Sequence, residues 1–153
     1  MVIHPADRGL PVETREQLCR VAECVLAEFP LDGGLVQAVF TTDEHMARMN
    51  EEYRGKETTT DVLSFDYGPF ANAGADSMAG GAEWTRGEIY ISVERAAQQA
   101  EDRGIAPTAE LARLLVHGLL HLSGYDHHTT EELQKMEALT DSFMEASGVD
   151  ETA

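Results

Sequence analysis

The stretch His117-Gly-Leu-Leu-His-Leu-Ser-Gly-Tyr-Asp-His127 carries the clearest chemistry in this chain, with the spacing H-x-x-x-H-x-x-G-x-x-H. On a helix, residues four apart leave about 40° apart around the axis and roughly 6 Å apart along it. His117 and His121 therefore share a face. Gly124 can end the helix and turn the chain back, which allows His127 to serve as a third nitrogen ligand. Three neutral imidazoles with one open position suit a catalytic zinc ion. A surface helix end that happens to be rich in histidine is the bland alternative.

Zinc proteases place a glutamate directly after the first histidine, where it acts as general base. Here that position is Gly118. A zinc ion would still acidify water and polarise an oxygen, but the adjacent proton-shuttling carboxylate is missing. Peptidase chemistry becomes a minority reading. Phosphodiester cleavage depends less on such a base and gains from a nearby cation. Arg54 and Lys56, in Asn50-Glu-Glu-Tyr-Arg-Gly-Lys56, form the local basic feature of an otherwise acidic chain. Arg54 can grip a phosphate bidentately and Lys56 can add a point charge, although pairing of Arg54 with a surface acid explains it equally well.

The elements that must position these groups can be read from periodicity. Met1–Ile3 suggests a short edge strand. Thr14 and Gln17 suggest a capping box opening a helix with Leu18, Val21, Ala22, Val25 and Phe29 on one stripe, stopped by Pro30. Leu35–Phe40 reads as a strand. Thr42 or Asp43 caps a second helix carrying Met46, Met49 and Tyr53, closed by Gly55. Val62–Phe65 and Gly87–Ser92 read as antiparallel strands, with a long loop from Tyr67 to about Arg86 between them. Ser92 caps a helix ending before Gly104, and Pro107-Thr108 opens the histidine helix. Thr129 and Glu132 suggest a second capping box, with Leu133, Met136, Thr140, Phe143 and Met144 facing inward until Gly148.

The histidine helix is apolar nearly all round, with Leu111, Leu114, Leu115, Leu119 and Leu122 on one wide face and Val116 and Leu120 opposite. Such a helix is buried on most sides. The histidines fill the narrow strip between, and Glu110 projects into it two turns upstream, as a candidate to orient a histidine through its other ring nitrogen. Polar groups confined to one strip of a buried helix line a cleft. The expected fold is α/β (α+β): one small mixed sheet of about four strands covered by about five helices, in a single domain over residues 1–153.

The chain has 153 residues, 28 acidic against 11 basic, and a net charge of −17. That balance argues against broad, non-specific binding to nucleic acid. Solubility or adaptation to a saline cytoplasm would each account for it. Cys19 and Cys24 have neither redox-pair nor zinc-knuckle spacing, so reduced thiols in a reducing compartment are expected. With no basic-then-apolar leader and no apolar run long enough to span a bilayer, a cytoplasmic protein with no membrane partner is expected.

Three blocks, NEEYRGKETTTDVLSF, GEIYIS and HGLLHLSGYDH, resemble in order and separation those of the YbeY family of bacterial rRNA maturation endoribonucleases, over about residues 35–145. The resemblance implies a small α/β domain in which His117, His121 and His127 bind one metal ion, usually taken as zinc. It implies that Arg54 is catalytically important and acts on the RNA phosphate. It further implies cleavage of single-stranded RNA in 3′-end maturation of small-subunit (16S) rRNA and in ribosome quality control. The implied partners are rRNA in the small subunit, a small-subunit ribosomal protein and a ribosome-assembly GTPase, with no DNA partner. His128 lies beyond the motif and is not counted as a ligand. Two departures stand out: Glu57-Thr-Thr-Thr60 replaces the usual Asp-x-Pro-Thr, and Gly87-Glu88 replaces Gly-Asp. A ribosome-assembly factor with a structural metal, or a metallohydrolase on another ester or amide, are the alternative functions.

Overall fold

A computed structural model describes residues 2–3, 9–31, 34–54, 61–68, 85–126 and 128–152. In chain order the elements are β1 (Val2–Ile3), α1 (Val12–Glu28), β2 (Leu35–Thr41), α2 (Asp43–Arg54), β3 (Val62–Asp66), β4 (Thr85–Ser92), α3 (Val93–Arg103), α4 (Pro107–Leu122) and α5 (Thr130–Ser147). The sheet order is β1-β2-β4-β3. β1 and β4 run parallel to β2, and β3 runs antiparallel to β4, with Val62 opposite Ile91 and Phe65 opposite Glu88. The mixed sheet and its helices match the expected fold class.

Alternation in the strands sends two sets of side chains to opposite faces. Val36, Ala38, Phe40, Ile89 and Ile91 meet Leu18, Val21 and Val25 of α1 and the leucines of α4 in the main core. Leu63, with Phe65 and Tyr90, meets Met46 and Met49 of α2 on the other face. The methionines of α2 are therefore core filler, and α4 is pinned between the sheet, α1, α3 and α5.

Several helix ends follow the expected chemistry. The Ser92 hydroxyl accepts from the Arg95 N–H at 3.1 Å and donates to Asp43 at 2.5 Å. Gly104 and Gly148 close α3 and α5 in the left-handed conformation. Thr42 accepts from the His45 N–H at 3.2 Å, capping α2. Thr129 accepts from Glu132 N–H at 3.1 Å, while the Glu132 carboxylate reaches back to the N–H of His128 rather than of Thr129.

Three expectations need correction. The Thr14–Gln17 capping box is not formed. α1 begins at Val12 behind Pro11, so Thr14 lies within the first turn, where its buried hydroxyl meets that of Thr108 on α4 at 3.1 Å. β4 starts two residues early, at Thr85, because Tyr67 N–H donates to the Arg86 carbonyl and Arg86 pairs with Asp66, extending the ladder. Leu133 is exposed, since the first turn of α5 precedes its contact with the core; Met136, Thr140, Phe143 and Met144 are buried as expected. The remainder of the long loop, residues 69–84, and Gly55 lie outside the described residues.

Candidate metal centre

α4 divides its circumference between three tasks. Leu111, Leu115, Leu119 and Leu122 enter the core. Gly118 faces the sheet: a Cβ built there would lie 2.7 Å from Ile89 Cγ2 and 3.1 Å from Ser64 Oγ. The Ser64 hydroxyl donates to the Gly118 carbonyl at 3.4 Å. No side chain fits at 118 unless the helix lifts or Ile89 moves. The position that bears the base in zinc proteases is thus a packing contact here. Gly87 answers it from β4, where a Cβ would lie 2.9 Å from both Leu122 Cδ2 and the Phe65 carbonyl oxygen.

The remaining strip carries Glu110, His117 and His121. The two imidazoles stack with centroids 5.6 Å apart and an interplanar angle of 21°. With metal–nitrogen bonds of about 2.1 Å, two imidazoles on one tetrahedral ion have centroids about 5 Å apart. The donor pair is soft enough for zinc and spaced to share an ion, so these two residues fit the group. His127 lies outside the described residues, and among those described no cluster of three ligating side chains is found.

The chain entering His127 is nonetheless well anchored. Gly124 takes φ 99°, and the N–H groups of Gly124 and Tyr125 donate to the carbonyls of His121 and Leu120 at 3.1 and 3.0 Å. The Tyr125 ring packs edge-on against Phe29 at 5.5 Å, and Phe29 in turn against Phe143. The turn expected at Gly124 is present. His128 pairs with Asp126 at 2.7 Å and is exposed.

A cavity of about 360 Å³ opens beside His117, between α3, α4 and α5. Asp61, Gln99, Arg103, Glu110 and Arg113 contribute to its walls. Glu110 is 1 % exposed, with Arg103 3.5 Å from its Oε2. Burial raises the Glu110 pKa, and the Arg103 and Arg113 charges oppose that shift only in part. Glu110 and His117 both line this cavity. Gln99, Arg103 and Arg113 were not anticipated from the sequence. The four-residue spacing of Gln99 and Arg103 on α3 was the available signal. Arg54 ends α2, but its side chain and the whole of Lys56 lie outside the described residues.

The family description "Endoribonuclease YbeY" matches residues 8–148. The chain belongs to this family. A relative named Endoribonuclease YbeY from Geobacillus thermodenitrificans is 38% identical over 138 residues, covering 90% of this chain and 87% of that protein. One of the same name from Sulfurihydrogenibium is 38% identical over 123 residues, covering 80% and 76%. The solution structure of a Thermotoga maritima protein aligns with TM-score 0.56 and 22% identity, over 95% of this chain and 89% of that one, and supports the fold. No described helix is long and apolar enough to cross a membrane.

Proposed function

We propose that this chain, as one metallohydrolase domain over residues 1–153, is a cytoplasmic zinc-dependent endoribonuclease. In this reading it cuts single-stranded RNA during 3′-end maturation and quality control of small-subunit rRNA. The observation that carries it is the stacked pair His117 and His121 on a cleft-facing strip, in a chain of the endoribonuclease YbeY family. His117, His121 and His127 would hold one zinc ion, which when bound supplies Lewis acidity and lowers the pKa of water. Arg54 grips the phosphate and stabilises its developing charge, and Lys56 adds attraction for the strand. The buried wall of α4 excludes bulk water from one side of the site and holds the two imidazoles in register.

The net charge of −17 repels RNA at long range. Delivery by the small ribosomal subunit overcomes this, with a small-subunit ribosomal protein and a ribosome-assembly GTPase as the proposed contacts. The test uses a short single-stranded RNA matching the rRNA 3′ end. Cleavage should vanish with a chelator, return with zinc, and be lost in His117→Ala. Unchanged cleavage by His117→Ala would overturn the metal mechanism.

A further inference from the structure

We propose that the cavity between α3, α4 and α5, which opens beside His117, is a base subsite selective for guanine in the RNA strand. The inference rests on the endoribonuclease reading above. It starts from two buried acceptors, Glu110 Oε2 and Gln99 Oε1, which have no hydrogen-bond partner among the described residues. Each unmet acceptor costs free energy until a donor arrives. The Gln99 amide nitrogen is engaged, donating to Asp61 at 3.2 Å, which turns its oxygen towards a different donor. Arg103 lies 3.5 Å from Glu110 without hydrogen-bonding to it, and its side chain is 56 % exposed. With more than half of its side chain exposed, it can donate to an added acceptor while staying beside the carboxylate.

The two unmet acceptors thus face a cavity that Arg103 can also reach, with Leu114 as an apolar wall and with Arg113 and the carboxylates of Asp61, Glu137 and Asp141 also in the lining. Guanine presents the matching edge: N1–H and the N2 amino group donate, and the neighbouring O6 accepts from Arg103. Adenine places a bare N1 acceptor against the Glu110 carboxylate. Cytosine and uracil each carry one donor group on that edge, so one buried oxygen stays unmet. At about 360 Å³ the space falls in the range of small-ligand sites. Two helical turns, about 10 Å along the axis, separate Glu110 from His117. That spacing suits a neighbouring nucleotide better than a hydrogen bond to a histidine ring.

The test uses the zinc-loaded full chain and RNA oligonucleotides identical except for G, inosine or A at the nucleotides flanking the cut. Guanine on one side should raise kcat/KM about tenfold over inosine, which lacks the N2 amino group, and further over adenine. In Glu110→Gln, and separately in Gln99→Ala, the G-to-A ratio should fall towards one. Equal kcat/KM for all three substrates, or a preference retained in both variants, would overturn the subsite. A parallel NMR titration of the same proteins with 5′-GMP, 5′-IMP and 5′-AMP separates this from the parent reading. GMP shifts at Glu110 and Gln99 that Glu110→Gln abolishes support the subsite even if no RNA is cut, whereas RNA cleavage with no GMP preference overturns the subsite alone.

Discussion

Gly118→Ala is the sharpest probe of how α4 sits on the sheet. Alanine in place of glycine within a helix ordinarily stabilises by about 0.5–1 kcal/mol. Here the new Cβ starts 2.7 Å from Ile89 Cγ2, and comfortable carbon–carbon contact is about 3.5–4 Å. Either Ile89 shifts or helix and strand part by about 1 Å, and overpacking of that kind costs about 1–3 kcal/mol. The net expectation is a loss of up to about 2.5 kcal/mol where a helix-propensity argument predicts a gain. Ile89→Ala removes the clashing atoms and alone costs about 2–5 kcal/mol as a cavity. Combined, the two changes should be less damaging than their sum by at least about 1 kcal/mol. Urea unfolding of the four proteins, followed by circular dichroism with equal m-values, measures this cycle. Additivity within about 0.5 kcal/mol, or a stabilised Gly118→Ala, would refute the packing argument.

Other outcomes follow from single groups. Burial raises the Glu110 pKa above its ordinary 4.5, so its contribution to stability is full below that pH and is lost as pH rises through the folded-state value. Unfolding of Glu110→Gln and the parent at about pH 4 and about pH 7 should show the variant gaining relative stability at the higher pH; a constant difference contradicts it. Ser92→Ala removes the α3 cap and its bond to Asp43 and should cost about 1 kcal/mol in denaturant unfolding, with no loss meaning the cap contributes nothing. Gly124→Ala must hold φ 99° with a Cβ, at about 1–2 kcal/mol, and should weaken zinc retention in a chelator competition, because the turn leads to His127; parental zinc affinity would disconnect the turn from the site.

Much of this architecture was legible because the decisive signals are local. Ser92, Gly104, Gly124 and Gly148 mark element ends by their own backbone chemistry, and the leucines of α4 announce a buried helix. Thr14 misled because a threonine three residues before a glutamine has the look of a cap, whereas Thr108, 94 residues away, claims its hydroxyl. The same limitation hid the cavity. Nothing local to Gln99 and Arg103 shows that Gly104 ends α3 and that the chain then sets Arg103 beside Glu110. Leu133 fitted an apolar stripe, but periodicity cannot say how far along α5 the core extends.

The absence of a glutamate after His117 reads, in the sequence, as a deletion from a protease motif. The packing reverses that view. Successive residues on a helix point about 100° apart. Once His117 and His121 are turned to the cleft and the leucines to the core, position 118 belongs to Ile89 and Ser64. Any side chain there, glutamate included, has to displace the sheet before it can reach a substrate. A proton-shuttling group cannot sit at 118 without that displacement; the groups that line the cavity beside His117 include Glu110 of the same helix and Arg103 from α3. The helix supplies register and imidazoles, and its neighbour α3 sets a cation, Arg103, beside the buried carboxylate of Glu110.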